Sequence, residues 1–163
     1  ANATAHYLYA EACKGQGDDV NTIAMATKAI SLDSKQGNAY LLRGETYLHT
    51  QQLTEAEADV AWLLEHTEDN EDVLLLKARI ERAATRNNEA IEYFTKAIDA
   101  NPFSYTAFKE RSEMYSLVGN EAKAKEDSER AEELMPTDGK ENVEENIEKQ
   151  LNDKYKQMNP YGF

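Results

Sequence analysis

The chain has 163 residues, 40% hydrophobic and 30% charged, and its 31 Asp and Glu against 18 Lys and Arg leave a formal net charge of -13. That sign excludes nucleic acid and disfavours anionic membrane surfaces, because phosphate binding is driven by Lys and Arg that release counterions. With only 3 prolines and 7 glycines among abundant Ala, Glu, Leu and Lys, residues that interrupt helices are scarce, and an all-α fold is expected. No apolar run approaches the ~20 residues needed to span a bilayer, and the first residues lack the basic-then-apolar order of a signal peptide. The chain begins at Ala1 rather than Met, which leaves room for an upstream segment or a signal peptide. A single cysteine, Cys13, cannot form an internal disulfide, which favours the cytoplasm.

Taken in chain order, the helical pattern comes in pairs. Helices are predicted over about 4–15 and 20–33, 38–50 and 54–66, 72–84 and 88–100, and 105–117 and 122–134. Gly17-Asp18, Gln51-Gln52, Arg86-Asn87 and Gly119-Asn120 separate the members of each pair, short polar turns that suit antiparallel neighbours. Thr54 and Glu57 have capping-box spacing at the second helix of the second pair. After Pro136 the pattern changes: Asp138 and Glu141 form another capping-box pair ahead of Val143, Ile147, Leu151 and Tyr155. Four-residue steps drift by about 40° around a helix, so those four share one apolar face, while Glu144, Glu145, Glu148 and Lys149 face water. A closing helix over 139–158 is predicted to cap the array, followed by a 159–163 tail whose Tyr161 and Phe163 pack back on it or on the last repeat. The sharper alternative makes the tail a ligand for a neighbouring copy.

The pairs repeat. Pro102 and Pro136 lie 34 residues apart, and counting back by that step gives windows 3–36, 37–70, 71–104 and 105–138 without insertion. Position 8 of each window reads Ala10, Gly44, Ala78, Ser112, and position 20 reads Thr22, Ala56, Ala90, Ala124. Position 27 reads Ala29, Leu63, Ala97, Ala131, whereas position 4 reads His6, Tyr40, Leu74, Phe108. Small residues admit a ridge from the facing helix, and bulky ones fill the space toward the next pair.

A 34-residue spacing with small residues at 8, 20 and 27 and Pro at 32 resembles the tetratricopeptide repeat, over residues 3–138. The resemblance implies a right-handed α-solenoid of four helix-turn-helix repeats, an array over 1–138, and a concave groove lined by the first helices. In such arrays positions 2, 5, 6, 9, 12 and 13 are open to a bound peptide. The groove candidates are therefore Tyr7, Glu11, Leu41, Leu42, Glu45, Leu48, Leu75, Leu76, Arg79, Arg82 and Lys109. Paired apolar residues beside acidic ones suit a protein or peptide partner with hydrophobic anchors and some positive charge. A homodimer through the apolar groove or the tail is the alternative. Arg79, Arg82 and Lys109 form a basic spot able to hold a carboxylate, but Glu110 and Glu113 stand near enough for internal ion pairs, the more ordinary role. Some relatives clamp a chaperone C-terminus with Lys, Asn and Arg; here Tyr7, Glu11, Leu42, Asp72 and Leu76 stand at those positions, which argues against that ligand.

Catalysis has no recognisable constellation: there is no phosphate-cradling glycine loop, no His-Glu-x-x-His and no nucleophile elbow. His6, His49 and His66 have no second ligand at helical spacing, so no metal or cofactor is expected. Cys13 falls at position 11 of its repeat, where a core side chain is expected.

Overall fold

The computed structural model describes residues 2–68 and 70–135. Over those residues the chain forms eight helices and no strand: α1 (Ala3–Gly15), α2 (Asp19–Leu32), α3 (Gly37–His49), α4 (Leu53–His66), α5 (Glu71–Ala83), α6 (Asn87–Ala100), α7 (Tyr105–Leu117) and α8 (Glu121–Leu134). Each boundary falls within one residue of its prediction. The expected closing helix over 139–158, with Val143, Ile147, Leu151 and Tyr155, and the 159–163 tail lie outside the described residues.

Odd and even helices pair in sequence, each pair packs on the next, and α1 meets α3 as α3 meets α5. First helices therefore make the inner layer and second helices the outer one.

The small positions bring the layers together. Ala10, Ala78, Thr22, Ala56, Ala90, Ala29, Ala97 and Leu63 are 0–2% exposed. At Gly44 even a methyl group would sit 3.1 Å from Leu76 Cδ2 and 3.3 Å from Asp59 Cβ, so α3, α4 and α5 converge there closely enough that a side chain would press its neighbours by a few tenths of an ångström. Around these contacts the bulky residues form clusters at successive repeat junctions: Ala10, Ala26 and Leu42; Val60, Leu63, Val73, Leu76 and Ile80; Leu74, Leu75, Phe94 and Met114.

Capping explains most helix starts. Side chains of Asn2, Asp18, Asn70, Ser104 and Asn120 each accept a hydrogen bond from a backbone N–H in the first turn. The capping box expected from Thr54 and Glu57 does not form. Helix α4 starts at Leu53, which puts Thr54 inside the first turn, and Glu57 instead pairs with Arg86.

The turns within pairs share one backbone solution. Gly17, Gln51, Thr85 and Gly119, all at position 15 of their repeats, have positive φ of 74°, 60°, 61° and 79°. Left-handed backbone lets the chain reverse after the first helix. Glycine takes it without strain, while a β-branched residue such as Thr85 does so at a cost.

A polar cassette recurs two repeats apart. Arg43 Nε and Nη2 donate to the two carboxylate oxygens of Asp59 at 2.8 and 2.6 Å, and Nη1 donates to Thr27 Oγ1 at 3.0 Å. Arg111 does the same with Asp127, at 2.7 Å for both bonds, and with Thr95 at 3.0 Å. Each guanidinium also lies 5.5–5.7 Å from two rings of its own helix, Tyr40 and Tyr47 in one case, Phe108 and Tyr115 in the other. Hydrogen bonding to Asp59 holds the Arg43 guanidinium above its ordinary range against the opposing effect of burial. In the third repeat Lys77 takes the arginine's register position. It pairs with Glu81, which also accepts from Arg86, and it lies 5.7 Å from the Tyr93 ring. Burial pushes the Glu81 carboxyl up, but its bonds to Arg86 and Lys77 prevail and bring it below the usual range.

Two stability outcomes follow from these contacts. Thr85→Gly is expected to raise stability by roughly 0.5–1 kcal/mol and the melting temperature by about 2–4 °C, read by calorimetry. Asp59→Ala leaves Arg43 facing a site that excludes water, since Asp59 is 3% exposed. Its loss is expected to cost about 3 kcal/mol or more, read as a lower urea midpoint.

Candidate functional site

Helix α1 divides its surface by register. Ala10 and Cys13 turn into the core, whereas Tyr7, Glu11 and Lys14 face the inner layer beside Asn38, Leu41, Leu42 and Glu45 of α3. Together with Gly15 these residues line a concavity of about 380 Å³. Its rim is polar and internally bonded: Tyr7 Oη donates to Glu11 Oε1 at 2.5 Å, and Lys14 pairs with Glu45 across the two helices. Partial burial, then the bond to Glu11 and the charges of Glu11 and Glu45, push the Tyr7 phenol up to about 12, so it remains a donor throughout the neutral range.

The predicted groove residues separate into three groups. Tyr7, Glu11, Leu41, Leu42 and Glu45 come together in the concavity, whereas half-buried Leu48 does not line it and packs against the core cluster at the junction of the second and third repeats. Leu75 and Leu76 do not present themselves: they are 5% and 1% exposed and belong to the core. Leu42, at 7%, offers only an edge. Position 6 turns toward the preceding repeat, as Leu42 and Leu76 show, and Leu75 joins the core cluster of Leu74, Phe94 and Met114.

The third group is the basic spot, which is consumed by internal pairing. Arg79 Nε lies 3.0 Å from both carboxylate oxygens of Glu110, and its Nη2 lies 2.5 Å from Oε1. Arg82 Nη1 stands 3.3 Å from Glu110 and 3.6 Å from Glu113. The bond to Glu110, opposed by burial and reinforced by Glu45 and Asp72, raises the Arg79 guanidinium above its ordinary range. The inner layer thus carries alternating charge from Lys14 and Glu45 through Arg79 and Glu110 to Arg82 and Glu113. Lys109 stands apart, exposed over the Tyr105 ring at 5.7 Å, in a separate hollow with Ser128, Glu132 and Met135.

Lys14, which shares position 12 with the candidates Leu48 and Arg82, completes the concavity together with Asn38 and Gly15, which stand outside the candidate residues. Their positions, 12, 2 and 13, belong to the same inward register, so the repeat count itself is the signal that identifies them.

The repeat register and helix order agree with the comparisons with known proteins. The family model for the tetratricopeptide repeat matches residues 71–104, the third window. Residues 71–104 are a tetratricopeptide repeat, and the eight helices have the fold of an all-α tetratricopeptide repeat solenoid. Solved structures with the same fold include MamA, residues 41 to the end, from Desulfovibrio magneticus RS-1, with a TM-score of 0.75, 17% identity, and coverage of 82% of this chain and 75% of that one. A thermophilic tetratricopeptide repeat protein of Thermus thermophilus gives 0.72 at 15% identity, covering 81% and 74%. One from Parabacteroides merdae ATCC 43184 gives 0.73 at 21% identity, covering 83% and 53%. At such identities the likeness is one of fold. No curated protein matches this sequence.

Tetratricopeptide repeat proteins generally serve as scaffolds for protein–protein interaction and are generally non-catalytic. Among the described residues no group of three or more His, Cys, Asp or Glu could hold a metal ion, and no helix is long and apolar enough to cross a membrane. His49 Nδ1 lies 3.0 Å from Asp19, while His6 and His66 donate to backbone carbonyls at 2.9 Å. Cys13 is 5% exposed, a core thiol as its register position predicts.

The separation of Leu41 from Leu75 has a direct test. Leu75→Glu is expected to lower unfolding free energy by about 3 kcal/mol or more by burying a carboxylate, whereas Leu41→Glu costs about 1 kcal/mol and keeps native helicity in circular dichroism.

Proposed function

We propose that this chain binds a peptide segment of a protein partner in the N-terminal half of its inner face, between α1 and α3. The observation that carries this reading is the 380 Å³ concavity with Leu41 and the Leu42 edge in its wall and Glu11 and Glu45 on its rim. An apolar anchor side chain fits the leucine wall, where its burial would contribute roughly 1.5–3 kcal/mol. A Lys or Arg next to the anchor would meet Glu11 or compete with Lys14 for Glu45. The net charge of -13 would draw a basic segment toward the molecule and speed encounter. In the C-terminal half the ligand would meet Arg79 and Arg82 already paired, so that half serves this reading as a rigid support.

Selection from a displayed peptide library is expected to return sequences with one large apolar residue beside Lys or Arg. Affinity for a selected peptide should fall more than tenfold, about 1.4 kcal/mol, in Leu41→Glu. Glu11→Gln should reduce the preference for the basic residue and weaken the salt dependence of binding. An unchanged dissociation constant for a natively helical Leu41→Glu variant would sink the assignment.

A further inference from the structure

The second and fourth repeats build the same frame and finish it differently. Arg43 in one and Arg111 in the other tie the first helix to Asp59 or Asp127 of the second, and each guanidinium lies 5.5–5.6 Å from the ring at position 4, Tyr40 or Phe108. In the second repeat an aromatic stack closes the frame. The Trp62 indole lies on Tyr40 with ring centroids 3.9 Å apart and planes 8° from parallel, and His66 continues the stack at 4.5 Å. The fourth repeat has Arg130 in the register position of Trp62 and Leu134 in that of His66. Arg130 turns along its own helix to Glu133, 2.6 Å away, and among the described residues no ring stacks on Phe108. A hollow of about 430 Å³ lies there, with half-buried Phe108 in its wall. Where the second repeat has Ala58 and Ala61, its margin carries exposed Glu126 and Glu129. Arg111, in the same wall, is bonded back to Thr95 of α6. The opposite side of the repeat, with Lys109, Ser128, Ala131 and Glu132, corresponds in register to Leu75, Phe94, Ala97 and Ile98, which pack with Ala107 and Met114 of α7, and it lines a separate hollow that shares no residue with this one. The hollow over Phe108 thus results from residues of the fourth repeat itself, not from its place in the array.

We propose that this hollow receives an aromatic side chain of a protein partner, flat against Phe108, with a Lys or Arg of the same segment held at Glu126. Two observations select that occupant. The first is the chain's own second repeat, where the same frame is filled by an indole lying parallel to the ring at position 4. Parallel, offset rings attract beyond the apolar area they bury, so a flat aromatic group gains on Phe108 what an aliphatic one does not. The second is charge. Two arginines and four carboxylates line the hollow, a formal charge of -2. Arg111 and Arg130 are held by Asp127 and Glu133, and Glu129 stands 3.7 Å from Lys125. Glu126 has no ion-pair partner among the described residues. A cation beside the aromatic group therefore meets an uncompensated carboxylate, and an acidic neighbour is repelled. This site is separate from the concavity between α1 and α3 and does not rest on the reading given to it.

Capped tripeptides serve as probes, titrated into the full chain and followed by broadening of their proton signals in NMR: acetyl-Lys-Trp-Lys-amide, with acetyl-Lys-Ala-Lys-amide and acetyl-Glu-Trp-Glu-amide beside it. Only the first is expected to bind appreciably. Arg130→Trp sets an indole where Trp62 stands in the second repeat, and should lower affinity for that probe more than about tenfold with native helicity. Glu126→Lys, at an exposed position, should lower it several-fold and flatten its salt dependence without touching the core. Leu41→Glu should leave it unchanged, which separates this hollow from the concavity between α1 and α3. No binding of acetyl-Lys-Trp-Lys-amide, equal binding of the alanine probe, affinity retained in a natively helical Arg130→Trp or in Glu126→Lys, or affinity lost in Leu41→Glu would each overturn the proposal.

Discussion

Two helices can share a core only as closely as the largest side chain between them allows, and in this protein that limit is set by a few positions of a 34-residue register. Where Ala10, Gly44 and Ala78 face Thr22, Ala56 and Ala90, the backbones come near enough to bury the contact between each pair of helices. Everything larger is arranged around that approach. Phe94, Leu63, Leu76 and Ile80 fill the space between successive pairs and are 0–2% exposed, so the core is a line of similar junctions rather than one central mass. A side chain's role is therefore decided by which junction its register position faces.

Apolar packing of this kind is tolerant of small slips, and the buried ion pairs remove that tolerance. Arg43 reaches α4 through Asp59 and α2 through Thr27, and Arg111 spans α6, α7 and α8 in the same way. Sliding one helix by a turn would leave a guanidinium and a carboxylate without partners in a place that excludes water, a penalty of several kcal/mol. The pairs thus act on registration more than on net stability. Repeat three solves the same problem with Lys77, Glu81 and Arg86. Repeat one has Tyr9 and Met25 at the positions of Arg43 and Asp59, which form no such tie.

The same geometry divides the inner face. In the second half, Arg79 and Arg82 are held by Glu110 and Glu113, and Leu75 is buried with Leu74 and Phe94, so charge is neutralised locally and apolar surface goes into the core. Toward the N-terminus, Leu41 and Tyr7 stay partly open, and the rim is tied by Lys14 with Glu45 and Tyr7 with Glu11. Partly open apolar surface is left between α1 and α3.

Much of this was legible in the sequence, because a repeat reports its own spacing. The step between Pro102 and Pro136 and the run of small residues at positions 8, 20 and 27 determined the helix boundaries to within one residue, the pairing, and the burial of Cys13. Register also identified Tyr7, Glu11, Leu41, Leu42 and Glu45 as neighbours. Exposure was a different matter. Leu41 and Leu75 share position 5, yet one lines a concavity and the other is 5% exposed in a core cluster, because exposure depends on the residues that neighbouring helices bring to the junction. The Thr54 capping box failed for a related reason: α4 begins at Leu53, ahead of the intended cap, and Arg86 from the next repeat claims Glu57. The Arg43 and Arg111 cassettes draw one residue from each of three helices, a convergence that no single helix pattern displays. Periodicity alone set the architecture, and only tertiary packing decided which side chains remained exposed.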